Sequence, residues 1–223
     1  MKLLAIDTSS TACSIALQIG KDILSRHVIM PMQQAQLILP MIKTLLTDAN
    51  IKLNQLDAIA FGRGPGSFTG IRIAASVAQG LSFGAKLPVI AISSLAALAQ
   101  AAYQSLGWEK LLVAVDARMQ EVYWGIYSVN STGLVVLTGE EMISAPNQLP
   151  FVEDQAWSGV GNGWEVYREQ IAQKLTKIDS TYLPTATAIL ALAGEKWLKQ
   201  EDLLKPEDAL PTYLRLNVAK KSK

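Results

Sequence analysis

The chain carries one structural idea twice. "KLLAIDTSSTACSIALQIG" starts at Lys2, and "LLVAVDARMQEVYWGIYSV" starts at Leu111, so that Asp116 falls on Asp7 at an offset of 109 residues. Each copy is an apolar strand with an aspartate at its carboxyl end, a short turn and a second strand. A duplication of this size constrains architecture before any local detail does, because two like units that each bury one sheet must stack against each other. The expectation is two β-rich lobes of common construction with a cleft between them.

The rest of the hydrophobic pattern fits that frame. "DILSRHVIM" extends the first hairpin until Pro31 stops it. "QAQLILPMIKTLLTDA", from Gln34 to Ala49, places Leu37, Met41, Leu45 and Leu46 near one stripe of a helix that contains Pro40. The strand "LDAIAF" follows, then a glycine-rich loop, a helix from about Thr69 to Gly84, the strand "PVIAIS" and the helix "SLAALAQAAYQSL". At 223 residues the chain has room for lobes at 1–106 and 107–206, with 207–223 returning to the first.

Composition narrows the function classes. Lysine and arginine number 20 against 19 acids, so no basic field for holding nucleic acid unaided is present apart from the tail "AKKSK". "MKLLAID" is short for a secretory leader, and no 18-residue run is free of polar residues, so a cytoplasmic protein is expected. A lone cysteine, Cys13, forms no internal disulfide.

"FGRGPGSFTGIR", from Phe61 to Arg72, has the outline of a phosphate cradle but lacks its parts. Gly64 and Gly66 are present, yet no lysine follows and Pro65 removes an amide donor. What remains is a strand-to-helix turn in which Ser67 or Thr69 caps the helix; it is either a packing device or a weak anion site. The turn after Asp7 offers Thr8, Ser9, Ser10 and Thr11, with no glycine or cation. The turn after Asp116 offers Arg118, a bulky Met119 and Glu121. Two acids without a metal make a poor phosphate site, so Asp7, Thr8, Ser9, Gly64, Gly66, Ser67, Asp116 and Arg118 are read as a degenerate nucleotide cleft.

With His27 the single histidine and Cys13 the single cysteine, the sequence supplies no His/Cys metal cluster, and no G-x-S-x-G elbow surrounds a serine. No catalytic residue, metal or cofactor is assigned. The helix after the loop is rich in small residues, which either let it lie on its own sheet or let another helix approach.

The segments "AIDTS", "GRGPGSFTGIRI", "DARMQEVYW" and "PTYLR", in this order and spacing, resemble the TsaB (YeaZ) family over nearly the whole chain. The resemblance implies an α/β, actin/Hsp70-like (ASKHA), ribonuclease H-like duplicated fold of two lobes with mixed sheets. It also implies a non-catalytic subunit that pairs with a TsaD-like paralogue, alongside a TsaE-like ATPase, in forming N6-threonylcarbamoyladenosine at position 37 of ANN-decoding tRNAs. On that reading tRNA is contacted only indirectly, and the chain self-associates when alone. The expected interface is Leu37, Met41, Leu45, Ile71, Ala74, Ala75, Ala78 and Leu81. The family commonly has a histidine where this chain has Gln34. The alternatives are a stand-alone ATPase or sugar-kinase-like enzyme of the same fold, or a glycoprotease-like peptidase.

Overall fold

Apolar runs become strands and 3.6-period runs become helices in this computed structural model, which describes residues 1–152, 157–173 and 175–215. The first half contains β1 (Lys2–Asp7), β2 (Ala12–Ile19), β3 (Asp22–Ile29), α1 (Gln34–Asp48), β4 (Ala58–Gly62), α2 (Phe68–Ala85), β5 (Val89–Ile92) and α3 (Ser94–Leu106). The second contains β6 (Lys110–Asp116), β7 (Val122–Val129), β8 (Val135–Ser144), β9 (Ser158–Val160), α4 (Gly163–Val166), β10 (Lys177–Asp179), α5 (Ala186–Lys199) and β11 (Leu203–Leu204).

Two mixed sheets result, ordered β11-β5-β4-β1-β2-β3 and β10-β9-β6-β7-β8. Without the edge strand β11 they match strand for strand. In each, the opening strand pairs antiparallel with the second strand and parallel with the fourth. This duplicated topology is the actin-like architecture, and Asp7 and Asp116 end equivalent strands.

β1 is an unbroken apolar run because both of its faces are covered. Leu4 and Ile6 meet α1 and α2, whereas Leu3 and Ala5 meet α5. The second sheet is covered on one face by Leu95, Leu98, Ala99 and Ala102 of α3, and on the other by Trp164, Tyr167 and Ile171. Helices α3 and α5 also touch each other, so the two sheets are joined through a shared helical layer.

That layer corrects the expected lobe boundary. Residues 186–204 fall within the expected second lobe of 107–206, but α5 packs on β1, β2, β4 and β5, and β11 pairs with β5. The Ser14 hydroxyl accepts the Ala186 amide at 2.9 Å, anchoring the start of α5 to the first sheet. Within 94–106, α3 lays Leu95, Leu98, Ala99 and Ala102 against the second sheet, while its Ala97 and Ala101 join α5 in the first sheet's core. Residues 216–223, including "AKKSK", lie outside the described residues.

Five of the eight residues expected at an interface face the chain's own core. Leu45, Ile71, Ala74, Ala75 and Ala78 are enclosed in the chain's own core, and Leu37, Met41 and Leu81 flank that core partly buried. The small side chains of α2 let it lie close to its own sheet. On α1 the inward stripe is Ile38, Ile42 and Leu45, which shares Leu45 with the expected stripe and puts Ile38 and Ile42 where Leu37 and Met41 were expected.

A charge placed at Ala78 therefore enters the core and not a helix contact. Ala78→Arg should cost about 3 kcal/mol or more, since an arginine there has neither room nor a partner. Ser76→Arg, on the exposed side of the same helix, should stay within about 0.5 kcal/mol of the parent. Chemical denaturation of the two variants checks this; equal midpoints would refute the assignment of α2's inner face.

Candidate functional site

Between the lobes is a cleft of about 780 Å³, walled by the β1–β2 turn, the glycine loop and start of α2, the β6–β7 turn, and residues 182–184 and 212–215. Its volume is that of a small-molecule site. Its walls show how the two nucleotide-style turns are employed.

On the first lobe, the β1–β2 turn and the glycine loop are packed into each other. Ser67 donates its amide to the Ser9 carbonyl at 2.7 Å, and Thr8 Oγ1 donates to the Gly70 carbonyl at 2.6 Å. A Cβ on Gly66 would stand 2.5 Å from the Ser9 carbonyl oxygen, and one on Gly70 would stand 1.9 Å from that of Thr8. Those glycines exist to admit the neighbouring carbonyls. Ser67 also caps α2 through its hydroxyl, which accepts from the Gly70 amide at 3.3 Å. The amide of Ser67, which in a cradle would face phosphate, thus faces a carbonyl.

Asp7 lies behind this contact. Its carboxylate is almost wholly buried and accepts from the Ser9 amide at 3.0 Å and the Ser9 hydroxyl at 3.0 and 3.1 Å. Desolvation outweighs those hydrogen bonds and raises its pKa to about 7. A Cβ on Gly62 would meet its Oδ2 at 2.0 Å, so β4 closes over it. Gln34 spans from α1 to the same turn, donating to the Ser10 carbonyl at 3.0 Å.

Asp116 is also engaged. Its Oδ1 accepts from the Arg118 amide and the Tyr167 hydroxyl, both at 2.8 Å, and its Oδ2 pairs with the Arg118 guanidinium at 3.0 Å. The intervening turn is unusual: Arg118, Met119 and Gln120 have φ of 61°, 56° and 64°. Three successive non-glycine residues in the left-handed region cost roughly 1–2 kcal/mol each. Arg215 covers this turn, donating to the carbonyls of Ala117 at 3.1 Å and Arg118 at 3.2 Å, and pairing with Glu121.

Of the cleft residues expected from sequence, Ser9, Gly66, Ser67, Asp116 and Arg118 line the cavity, while Asp7, Thr8 and Gly64 sit behind its wall. Among the described residues no group of three or more His, Cys, Asp and Glu side chains is placed to hold a metal. Sequence reasoning missed the exposed side of the α1–α2 pair. There Leu39, Phe68, Arg72, Ile73, Ser76 and Val77 line a shallow groove of about 420 Å³. The signal was present in the sequence as the neighbours of the small-residue stripe, offset by one position.

The buried acid sets a pH test. A native carboxyl raised from 3.8 to about 7 keeps a proton that the unfolded chain has already released. Stability should therefore fall as pH rises through that window, by up to about 1.4 kcal/mol per pH unit, and level off above it. Asp7→Asn should remove this component, so the variant's urea midpoint should rise relative to the parent's as pH rises across the window. A constant difference would mean that Asp7 is ionised throughout.

The family model for "TsaD: tRNA N6-adenosine threonylcarbamoyltransferase" matches residues 30–223. The tRNA threonylcarbamoyladenosine biosynthesis protein TsaB of Haemophilus influenzae is 42% identical over 98% of this chain and 95% of its own length. The Escherichia coli protein of the same name is 37% identical over 98% and 96%. The solved structure of YeaZ from Pseudomonas aeruginosa superposes with a TM-score of 0.91 at 46% identity, covering 96% of this chain and 99% of that one. On this full-length agreement in sequence and fold, the chain belongs to the TsaB (YeaZ) family.

Proposed function

We propose that this chain is the non-catalytic scaffold subunit in the formation of N6-threonylcarbamoyladenosine at position 37 of ANN-decoding tRNAs, paired with a TsaD-like catalytic paralogue. One observation carries the reading: the groups that would bind phosphate in this architecture are bonded to the chain itself. Ser67 N–H is spent on Ser9, Thr8 on Gly70, and Asp116 on Arg118 and Tyr167. An enzyme of this fold needs such groups free at the moment of reaction, pre-aimed at developing charge. Here releasing the Ser67 amide and Thr8 would require separating the two turns of the first lobe, and releasing Asp116 would require breaking its bonds to Arg118 and Tyr167.

Loss of that chemistry leaves the surface as the useful part. The α1–α2 groove exposes Leu39 and Phe68, at 52% and 48%, beside the cationic Arg72. A pair of helices with apolar side chains at this spacing accepts another helical pair, either the paralogue's or, in its absence, a second copy of the chain. The TsaE-like ATPase belongs to the same complex, and tRNA is met by the paralogue. The near-neutral charge, 20 basic against 19 acidic residues, supports that division of labour.

Reconstitution tests this. The purified chain alone should transfer no threonylcarbamoyl group to tRNA, and adding the TsaD-like and TsaE-like proteins with a carbamoyl-adenylate source should restore transfer. Ser76→Arg and Leu39→Arg should lower the restored rate by about tenfold or more and weaken self-association in light scattering, with unchanged thermal melts. Turnover by the chain alone would overturn the scaffold reading. Full activity of both variants would move the interface elsewhere.

A further inference from the structure

Residues 212–215 cross from one lobe to the other, and each end is held by a different kind of contact. On the first lobe, Thr212 donates its amide to the Arg63 carbonyl at 2.7 Å, and the missing side chain of Gly64 lets the Thr212 carbonyl lie close. Tyr213 accepts from Arg72 Nε on α2 at 2.8 Å, with the Arg72 guanidinium stacked 3.6 Å over Phe68. On the second lobe, Arg215 reaches two carbonyls and the Glu121 carboxylate of the β6–β7 turn, and its Nη1 lies 3.0 Å from Met119 Sδ. The guanidinium thus meets the residues before, within and after the three left-handed positions. The turn's own backbone supplies only two closing bonds, Ala117 N–H to Glu121 at 3.0 Å and Glu121 N–H to Arg118 at 3.1 Å.

Asp116 adds a bond to the Arg118 amide at the entry of the turn, but its contacts stop short of Met119 and Gln120, and a left-handed run of three side-chain-bearing residues persists only where the surroundings over-determine it. We infer that Arg215 is a latch that holds the β6–β7 turn in its left-handed form, making the shape of that cleft wall conditional on the seating of residues 212–215. The turn can relax only if Arg215 leaves, and Arg215 can leave only if the crossing segment lifts. The fork geometry matters, since a guanidinium serves two carbonyls and a carboxylate together while an ammonium is a point charge. Because Tyr213 and Arg72 anchor the other end on α2, a change at that helix face reaches the opposite lobe through four residues of chain. The latch stands whether or not the α2 face binds a partner.

The test uses amide exchange on the full chain. Arg215→Ala should speed exchange of the Ala117 and Glu121 amides by about tenfold or more, while amides of β1 and β2 keep their protection. Gln120 is exposed, and glycine adopts positive φ without steric cost, so Gln120→Gly relaxes the demand that the latch meets. In the Gln120→Gly background, Arg215→Ala should therefore cost several-fold less protection than in the parent, a coupling that independent sites do not show. Unchanged exchange at 117 and 121 in Arg215→Ala overturns the latch. So does an identical cost in the two backgrounds, or loss of protection spread evenly over both lobes.

Discussion

The interlock between the β1–β2 turn and the glycine loop is the contact on which the first lobe depends. Gly66 and Gly70 have no side chain because the carbonyls of Ser9 and Thr8 occupy that space. The hydrogen bonds across the contact then follow, and Asp7 is sealed behind them with its pKa raised to about 7 by burial. The same geometry that a nucleotide-binding protein uses to bring backbone close to phosphate here brings backbone close to backbone. The fold keeps its glycine pattern while the Ser67 amide and the Thr8 hydroxyl beside it are turned onto the chain's own carbonyls. This is why a glycine loop alone is weak evidence for a ligand.

Much of the architecture was legible because it follows from periodicity and duplication. The match of Asp116 to Asp7 anticipated two hairpins in equivalent places, and the strand orders β5-β4-β1-β2-β3 and β10-β9-β6-β7-β8 repeat that equivalence through five strands. The placement of α5 was not legible. Its stripe of Ala186, Ile189, Leu190 and Ala193 fits either sheet, and the Ser14–Ala186 bond that selects the first one spans 172 residues. Periodicity says that a helix has a buried face, but it does not name the surface that covers it.

The same limit explains the interface residues. Of the two readings open for the small residues of α2, Ala74, Ala75 and Ala78 pack on the chain's own sheet. An inner and an outer face of α2 both carry apolar groups, with Ile73 and Val77 only one position from Ala74 and Ala78. A shift of 100° on a helix is too small for composition to resolve when half of the chain is hydrophobic. Arg215 shows the opposite case. It lies in the segment 207–223 expected from sequence to return to the first lobe, but only the φ values of Arg118, Met119 and Gln120 reveal why a guanidinium is needed there.

The two lobes solve one problem in two ways. Each has a glycine-bearing loop after its fourth strand: Gly64, Gly66 and Gly70 after β4, and Gly161 and Gly163 after β9. In the second lobe those glycines also admit a backbone, since a Cβ on Gly161 would stand 2.5 Å from the Ala114 carbonyl oxygen. Asn162 between them takes the Asp116 amide at 3.0 Å. That loop, however, packs on the body of β6 rather than on the turn beyond it, and the four residues of α4 give no helix end comparable to the start of α2. The first turn is therefore held by its own lobe, whereas the second has a strained backbone that its own lobe closes with only the Ala117–Glu121 and Glu121–Arg118 backbone bonds and the Asp116 contacts to Arg118. A cation arriving from a distant part of the chain adds bonds to the Ala117 and Arg118 carbonyls, and residues 212–215 supply it with Arg215. Divergence between the duplicated halves thus placed the control of one cleft wall in a segment that belongs to neither hairpin.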